Sequence, residues 1–276
     1  MNTVRRVSYA FLSAVPILSF AVVGVRGFRI SGIYQTIGVV YFAAIAVATW
    51  TLGGNAIRAD GQGRRLLALA GKLLVTPFAL IALFWVGLGG PWQSTVAENE
   101  MRYVTLIVMS AAVAGGFVVL REALREAGEN FYASLGFAAV MLSGPLYVVW
   151  NIFALGAYFG KEHAGETPAA IVSLHDTLDF VLFVAGFLTY FATAAFAASM
   201  RRVQWLGRKT TWAFMIVTAV ALLFLLIRGL HYPDPNALST PWYSSPGFVV
   251  GIPIVPYIMP YFFGVVLLRR AGDAQS

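Results

Sequence analysis

The sequence contains no cysteine and little charge. Without cysteine, disulfides, thiolate chemistry, iron–sulfur clusters and Cys-ligated zinc sites are excluded. Charged residues make up only 11% of the 276 residues, whereas a soluble domain usually carries about 25%. So few charges cannot cover a water-soluble fold, and the composition indicates a chain whose main solvent is lipid.

Several sequence motifs are also missing. The chain has no Gly-rich phosphate loop, no G-x-S-x-G elbow and no H-E-x-x-H, so nucleotide hydrolysis, standard serine hydrolysis and zincin-type chemistry lose support. Of the three histidines, only His175 reaches an apolar block, and it lies at the start of that block. A self-contained subunit that binds two haems is therefore excluded. Lys72 is the only candidate for a retinal Schiff base, and its place near a block end favours snorkelling. The cofactor stays unknown.

Long apolar blocks dominate what remains. Hydrophobic residues make up 59% of the chain and the mean hydropathy is +0.76. A membrane-spanning helix needs about 20 apolar residues, and eight blocks meet this length: 7–26, 32–53, 66–89, 102–121, 132–159, 174–199, 210–230 and 246–268. They predict an all-α, polytopic transmembrane bundle of about eight spans with proline-kinked helices, forming a single membrane domain over 1–276. The first block is interpreted as a retained helix rather than a signal peptide.

Basic residues predict the orientation. Under the positive-inside rule, connections rich in Lys and Arg face the cytoplasm. One side of the predicted topology collects most of them: Arg5, Arg6, Arg58, Arg64, Arg65, Arg121, Arg125, Arg201, Arg202, Arg208, Lys209, Arg269 and Arg270. The other side has Arg26, Arg29, Arg102 and Lys161. We therefore predict a multi-pass protein of the plasma (cytoplasmic, or bacterial inner) membrane with both termini cytoplasmic. The net charge of +7 reflects these clusters, and nucleic-acid binding is not expected.

A candidate polar site lies near the outer membrane surface. Arg228 is close to the outer end of the seventh block, and Asp176 and Asp179 open the sixth block on one helical face, with His175 beside them. Ionisable groups within a membrane are costly and mark functional sites. One interpretation is a substrate site in which Arg228 faces Asp176 or Asp179, with His175 and His231 able to titrate or to act as ligands nearby. The alternative is that the acids merely begin a helix and Arg228 snorkels.

A metal site is a weaker hypothesis for the same surface. His175, Asp179, His231 and Asp234 have side chains that suit zinc or another divalent ion. Their spacing matches no known ligand signature, so we expect no metal there.

Two further residues within the spans are candidates for contact with substrate. Pro253, Pro256 and Pro260 interrupt the last block and lie roughly on one face, with Tyr257 beside them. Broken helices often line transport paths, although a bent helix of purely structural role has the same pattern. Asn151 places an amide near the middle of the fifth block, where it either touches substrate or joins helices by hydrogen bonds.

These features favour a small-molecule or ion transporter or channel-like protein with an outward-facing polar site. A membrane-embedded enzyme acting on a lipid or quinone-like substrate is the alternative, with His175 and Asp179 as its acid–base groups. A third hypothesis is a non-catalytic subunit of a larger membrane complex. Besides the lipid bilayer and the substrate, the partners left open are further copies of the chain and other subunits.

Overall fold

A computed structural model of the protein describes residues 2–24, 32–90, 94–166, 169–230 and 246–273. Its helices, in chain order, are α1 (Thr3–Gly24), α2 (Ile33–Leu52), α3 (Gln62–Phe84), α4 (Val96–Glu126), α5 (Phe131–Ala164), α6 (Ala169–Ser173), α7 (His175–Arg202), α8 (Arg208–Leu230), α9 (Pro246–Gly251) and α10 (Ile258–Asp273). Within these residues there is no β-strand, and the predicted all-α bundle is confirmed.

Six helices in the described part of the chain are long and apolar enough to cross a membrane: α2 to α5, α7 and α8. The protein is therefore a multi-pass integral membrane protein. The count of eight spans stays a prediction, since it adds α1 and the α9–α10 segment to these six. Large apolar side chains such as Ile17, Val40 and Leu223 face outward, as expected of a surface in contact with lipid.

The arginine-rich connections meet at one end of the bundle. Arg5 of α1 bonds the carbonyl of Leu52 and pairs with Asp273 at the end of α10, 3.0 Å away. At the same end Arg202, in the last turn of α7, lies 3.4 Å from the carboxylate of Glu129 before α5. We call this the arginine-rich end and the other the opposite end.

Helix α10 lies at the centre and is buried on nearly all sides. It crosses α3 closely at Gly71 and Gly264, where a Cβ on either glycine would lie 2.9 Å from the other's carbonyl oxygen. Such a Cβ would force the two backbones apart, so the crossing requires glycine at both positions.

The proline in α1 leaves a carbonyl that a neighbouring helix satisfies. Pro16 in α1 cannot donate to the carbonyl of Leu12, and the hydroxyl of Tyr261 from α10 donates to that oxygen at 2.6 Å. Within a membrane, such replacement bonds are what allows a helix interrupted by proline to persist.

The last membrane segment is broken in two. Helix α9 ends at Gly251, a turn and a short 3₁₀ helix (Val255–Tyr257) follow, and α10 begins at Ile258. This confirms the interruption expected from Pro253 and Pro256. The carbonyl of Val250, at the end of α9, accepts a hydrogen bond from the hydroxyl of Tyr190 on α7 at 3.0 Å.

Candidate functional site

Five side-chain hydroxyls line a small cavity in the bundle, directly beside the break in the last helix. They come from α4, α5, α7 and the 3₁₀ segment: Ser110, Ser143, Tyr147, Thr189 and Tyr257. All five residues are at most 4% exposed. The cavity volume is about 10 Å³, close to the least that admits one water-sized species. We call these five residues the hydroxyl cluster.

Most hydrogens of the hydroxyl cluster are directed away from the cavity. Ser110, Ser143 and Thr189 each donate to a carbonyl of their own helix, at 2.7, 3.4 and 2.9 Å. Because the Ser110 hydrogen is used in this way, the 2.8 Å bond between Ser110 and Tyr257 has the Tyr257 hydroxyl as its donor. Four oxygens are thus left with lone pairs and no free hydrogen, in a cavity whose surface is otherwise mostly apolar.

Two buried polar atoms beside these oxygens have no hydrogen-bond partner among the described residues. The hydroxyl of Tyr147 faces Thr189 without reaching hydrogen-bond geometry, and its ring lies 5.3 Å from that of Tyr257. One turn along α5, the Asn151 amide donates to the Tyr147 carbonyl at 2.7 Å while its Oδ1 accepts nothing. Buried polar atoms without partners are uncommon, and a bound water or ion is one explanation for them.

Polar and aromatic side chains continue from the hydroxyl cluster toward the opposite end. Tyr103 of α4 stacks on Tyr158 of α5 at 5.5 Å and lies 5.7 Å from the ring of Trp150. Asp179 of α7 is half-buried and acts electrostatically on Tyr103. Ten residues of α7 separate Asp179 from Thr189, a rise of about 15 Å. These side chains therefore extend over about half the thickness of a hydrocarbon core.

On the arginine-rich side, phenylalanine rings close off the hydroxyl cluster. Phe117 also lines the cavity and stacks on Phe196 at 4.7 Å. Phe263 lies 6.5 Å from Phe117 and stacks on Phe214 at 4.7 Å. We call these four residues the aromatic plug. Water and ions cannot cross such packed apolar rings unless the rings move.

The structure distributes the sequence-predicted site residues over three places. Tyr257 lies in the hydroxyl cluster and Asn151 is its neighbour on α5. Arg228 packs against α9, its Nη1 3.1 Å from the position that a Cβ on Gly251 would take. Asp179 lies beside Tyr103, and within the described residues no ion pair joins it to Arg228.

The remaining predicted residues are outside the described part of the structure. His175 and Asp176 open α7, but their side chains are not described, and His231 and Asp234 lie in the 231–245 connection, which is not described. Among the side chains that are described, no group of three His, Asp or Glu residues comes together to hold a metal.

Sequence reasoning missed most of the hydroxyl cluster. Ser143, Tyr147 and Asn151 follow one another at four-residue intervals, which places them on one face of α5, and this signal was available. Ser110 and Thr189 are single hydroxyls in apolar helices, where such residues usually bond their own backbone. Nothing in the sequence showed that they meet.

Arg102 is a second residue that the structure places unexpectedly. It was predicted in a connection, but it lies in the second turn of α4 and is only 5% exposed. Its guanidinium donates to Asn99, to the Gly89 carbonyl and to Ser94, at 3.0, 2.9 and 3.1 Å. Arg102 therefore anchors the connection between α3 and α4.

No protein-family model matches the chain, and neither a curated protein nor a solved structure matches it.

Proposed function

We propose that this membrane protein is a small transporter or channel-like protein whose substrate passes through the hydroxyl cluster. One observation carries the proposal: the last helix is broken beside a small cavity lined by five buried hydroxyl residues, of which the Tyr147 hydroxyl has no hydrogen-bond partner among the described residues. Discontinuous helices whose unwound backbone faces a polar site are a recurring device of membrane transporters. A helix break whose role is purely structural would not require a cavity beside it.

The chemistry of the cavity favours a small monovalent cation as the substrate. Among the described residues that line it, none is charged, and four of the five hydroxyl oxygens offer lone pairs without a free hydrogen. Neutral oxygens that replace a hydration shell are how selectivity filters bind such ions. The cavity volume of about 10 Å³ requires the ion to be largely dehydrated there. An anion would meet lone pairs and be repelled.

The rest of the proposed path follows from the placement of charges. We assign the outer mouth to Asp176, Asp179 and His175, with Arg228 holding α9 in position. The two carboxylates attract cations to the mouth. The arginine-rich end is assigned to the cytoplasm by the positive-inside rule, in the cytoplasmic membrane, so the aromatic plug is the inner gate.

The test is cation flux in proteoliposomes. Wild-type protein and two variants, Thr189→Val and Thr193→Val, are reconstituted, and uptake of Na⁺, K⁺ and Rb⁺ is followed. Thr189 and Thr193 are one turn apart on α7, at most 2% exposed, and each donates to a carbonyl one turn back, at 2.9 and 2.8 Å. Only Thr189 lines the cavity, so Thr193→Val is a matched control.

We expect wild type to transport at least one of these ions, Thr189→Val to reduce its flux about tenfold or more, and Thr193→Val to retain it. A tenfold loss corresponds to about 1.4 kcal/mol of lost ion stabilisation. Absence of flux for all three ions would refute the cation assignment. Equal losses in both variants would show that the hydroxyl cluster is not the path.

A further inference from the structure

A groove separate from the hydroxyl cluster runs along the lipid-facing side of the bundle. It lies between α1 and α8, with α10 as its floor, and its volume is about 250 Å³. Its walls are mostly apolar, with Tyr9 from α1, Ala213 and Val217 from α8, and Met259 and Val266 from α10, and they include the hydroxyl residues Ser13 and Thr210. Val217 is 50% exposed, so the groove is open to the bilayer.

Each of the three helices carries a basic residue where the groove reaches the arginine-rich end. Arg6 is three residues before Tyr9, and Lys209 is four residues before Ala213, so each lies on the groove face of its helix. On α10, Arg269 is three residues after Val266. The Arg269 guanidinium lies 5.1 Å from the centre of the Tyr9 ring and 3.7 Å from the Asp273 carboxylate.

The dimensions of the groove match one leaflet of a bilayer. From Met259 to Arg269 the helix advances ten residues, about 15 Å, which is half of a hydrocarbon core about 30 Å thick. The volume of about 250 Å³ is below the range of about 300–1,000 Å³ that is usual for sites holding a whole drug-sized molecule. The groove therefore accommodates a single hydrocarbon chain, and its basic mouth lies where the headgroup of that lipid would be.

We infer that the groove is a binding site for one anionic phospholipid. One acyl chain fills the space between α1 and α8, and the negatively charged headgroup meets Arg6, Lys209 and Arg269. The inference does not depend on the hydroxyl cluster, although Phe214 of the aromatic plug also lines the groove. The placement of three basic residues at one end of a single apolar groove distinguishes it from the general attraction of a basic membrane surface for anionic lipid.

The experiment is native mass spectrometry of delipidated protein titrated with phosphatidylglycerol or with phosphatidylcholine of the same acyl chains. Arg6→Gln/Lys209→Gln removes two charges at the mouth. Arg65→Gln/Arg125→Gln removes two charges from the same end on α3 and α4, away from the groove, and is the matched control. Ala213→Trp fills the groove from an exposed position, and Val217→Phe is a second, milder filling variant.

We expect one phosphatidylglycerol to bind wild type more tightly than phosphatidylcholine does. The mouth variant should weaken phosphatidylglycerol binding by about fivefold for each charge removed and leave phosphatidylcholine unchanged, while the control keeps wild-type binding of both. Either filling variant should weaken both lipids. Equal loss in the mouth variant and the control would show non-specific attraction and overturn the site, as would wild-type binding in both filling variants. Equal wild-type affinity for the two lipids would overturn the anionic assignment.

Discussion

At the scale of residues, the side chains that carry the proposed function are hydroxyls rather than charges. A charge in a membrane span is costly. A hydroxyl can donate its hydrogen to a backbone carbonyl of its own helix and still offer its oxygen as an acceptor. Ser110, Ser143 and Thr189 do this, and Tyr257 donates to Ser110. The hydroxyl of Tyr147 remains without a partner in the described part of the chain, and we interpret it as a group kept for the substrate.

Tyr147→Phe tests this interpretation. Since the lost hydroxyl makes no hydrogen bond among the described residues, we expect the free energy of unfolding to stay within about 0.5 kcal/mol of wild type or to rise. Tyr190→Phe is the control, because it removes a hydroxyl that donates to the Val250 carbonyl at 3.0 Å, and it should cost about 1 kcal/mol. Denaturation in mixed micelles measures both.

Cation flux of Tyr147→Phe should fall even though its stability is kept. A large loss of stability in Tyr147→Phe would instead assign the hydroxyl a structural role.

At the scale of elements, the break between α9 and α10 places Tyr257 against Ser110 on α4. Pro253 and Pro256 cannot donate backbone hydrogen bonds, and each clashes with the turn before it. The segment therefore turns away from helical geometry where the hydroxyl cluster lies. The aromatic plug closes the same cavity on the arginine-rich side.

A double substitution, Pro253→Ala/Pro256→Ala, should make the broken segment more helical. We expect slower amide hydrogen exchange across residues 252–257 and a loss of cation flux, because Tyr257 would rotate out of the cluster. Pro77→Ala in α3 replaces a proline within an unbroken helix and serves as the control. If exchange slows in the double variant and flux is unchanged, the break is not part of the path.

Phe196→Ala should open the aromatic plug. The ring stacks on Phe117, so its removal leaves a gap on the arginine-rich side, and we expect cation leak to increase severalfold over wild type. Phe187→Ala, on the same helix but outside the plug, should leave the leak unchanged. Conductance or dye-based flux compares the two, and an equal leak in both variants would argue against a gate at Phe196.

At the scale of the whole molecule, the bundle has two chemically different ends. The arginine-rich end brings together the starts of α1 and α5 and the ends of α2, α7 and α10. Asp179, Tyr103 and Arg228 lie toward the opposite end. The positive-inside rule predicts that the arginine-rich end is cytoplasmic, which would place the proposed gate on the inner side of the path.

Cysteine labelling tests this orientation directly, because the chain contains no cysteine of its own. Gly207→Cys lies in the α7–α8 connection, where a Cβ has room, and Glu166→Cys is exposed at the opposite end. In intact cells a membrane-impermeant maleimide should label Glu166→Cys and leave Gly207→Cys unlabelled until the cells are lysed. The reverse pattern would invert the topology.

The sequence predicted the helical bundle because a long apolar block can form few structures other than a helix in lipid. It also predicted the interrupted last segment, because proline acts on its own helix. The meeting of Ser110, Tyr147, Thr189 and Tyr257 was not predictable, since it depends on how four separate segments rotate and pair. Ser110 and Tyr257 are 147 positions apart, and neither belongs to a motif.

The candidate outer site stays a prediction. Asp179 and Arg228 were placed together because both lie near one membrane surface. The depth of a residue in the membrane can be counted along its helix. The direction in which its side chain points around the bundle cannot be read from the sequence. Asp179 acts electrostatically on Tyr103 and Arg228 packs against α9, while the side chains of His175 and Asp176 are not described.

The most direct test of the hydroxyl cluster as an ion site is anomalous diffraction from crystals of the protein soaked in thallium(I), a heavy substitute for K⁺. The account predicts an anomalous peak within the cavity, among the hydroxyl oxygens of Tyr147, Thr189 and Tyr257, and its loss in Thr189→Val. Thallium sites elsewhere in the crystal with no peak in this cavity would contradict it.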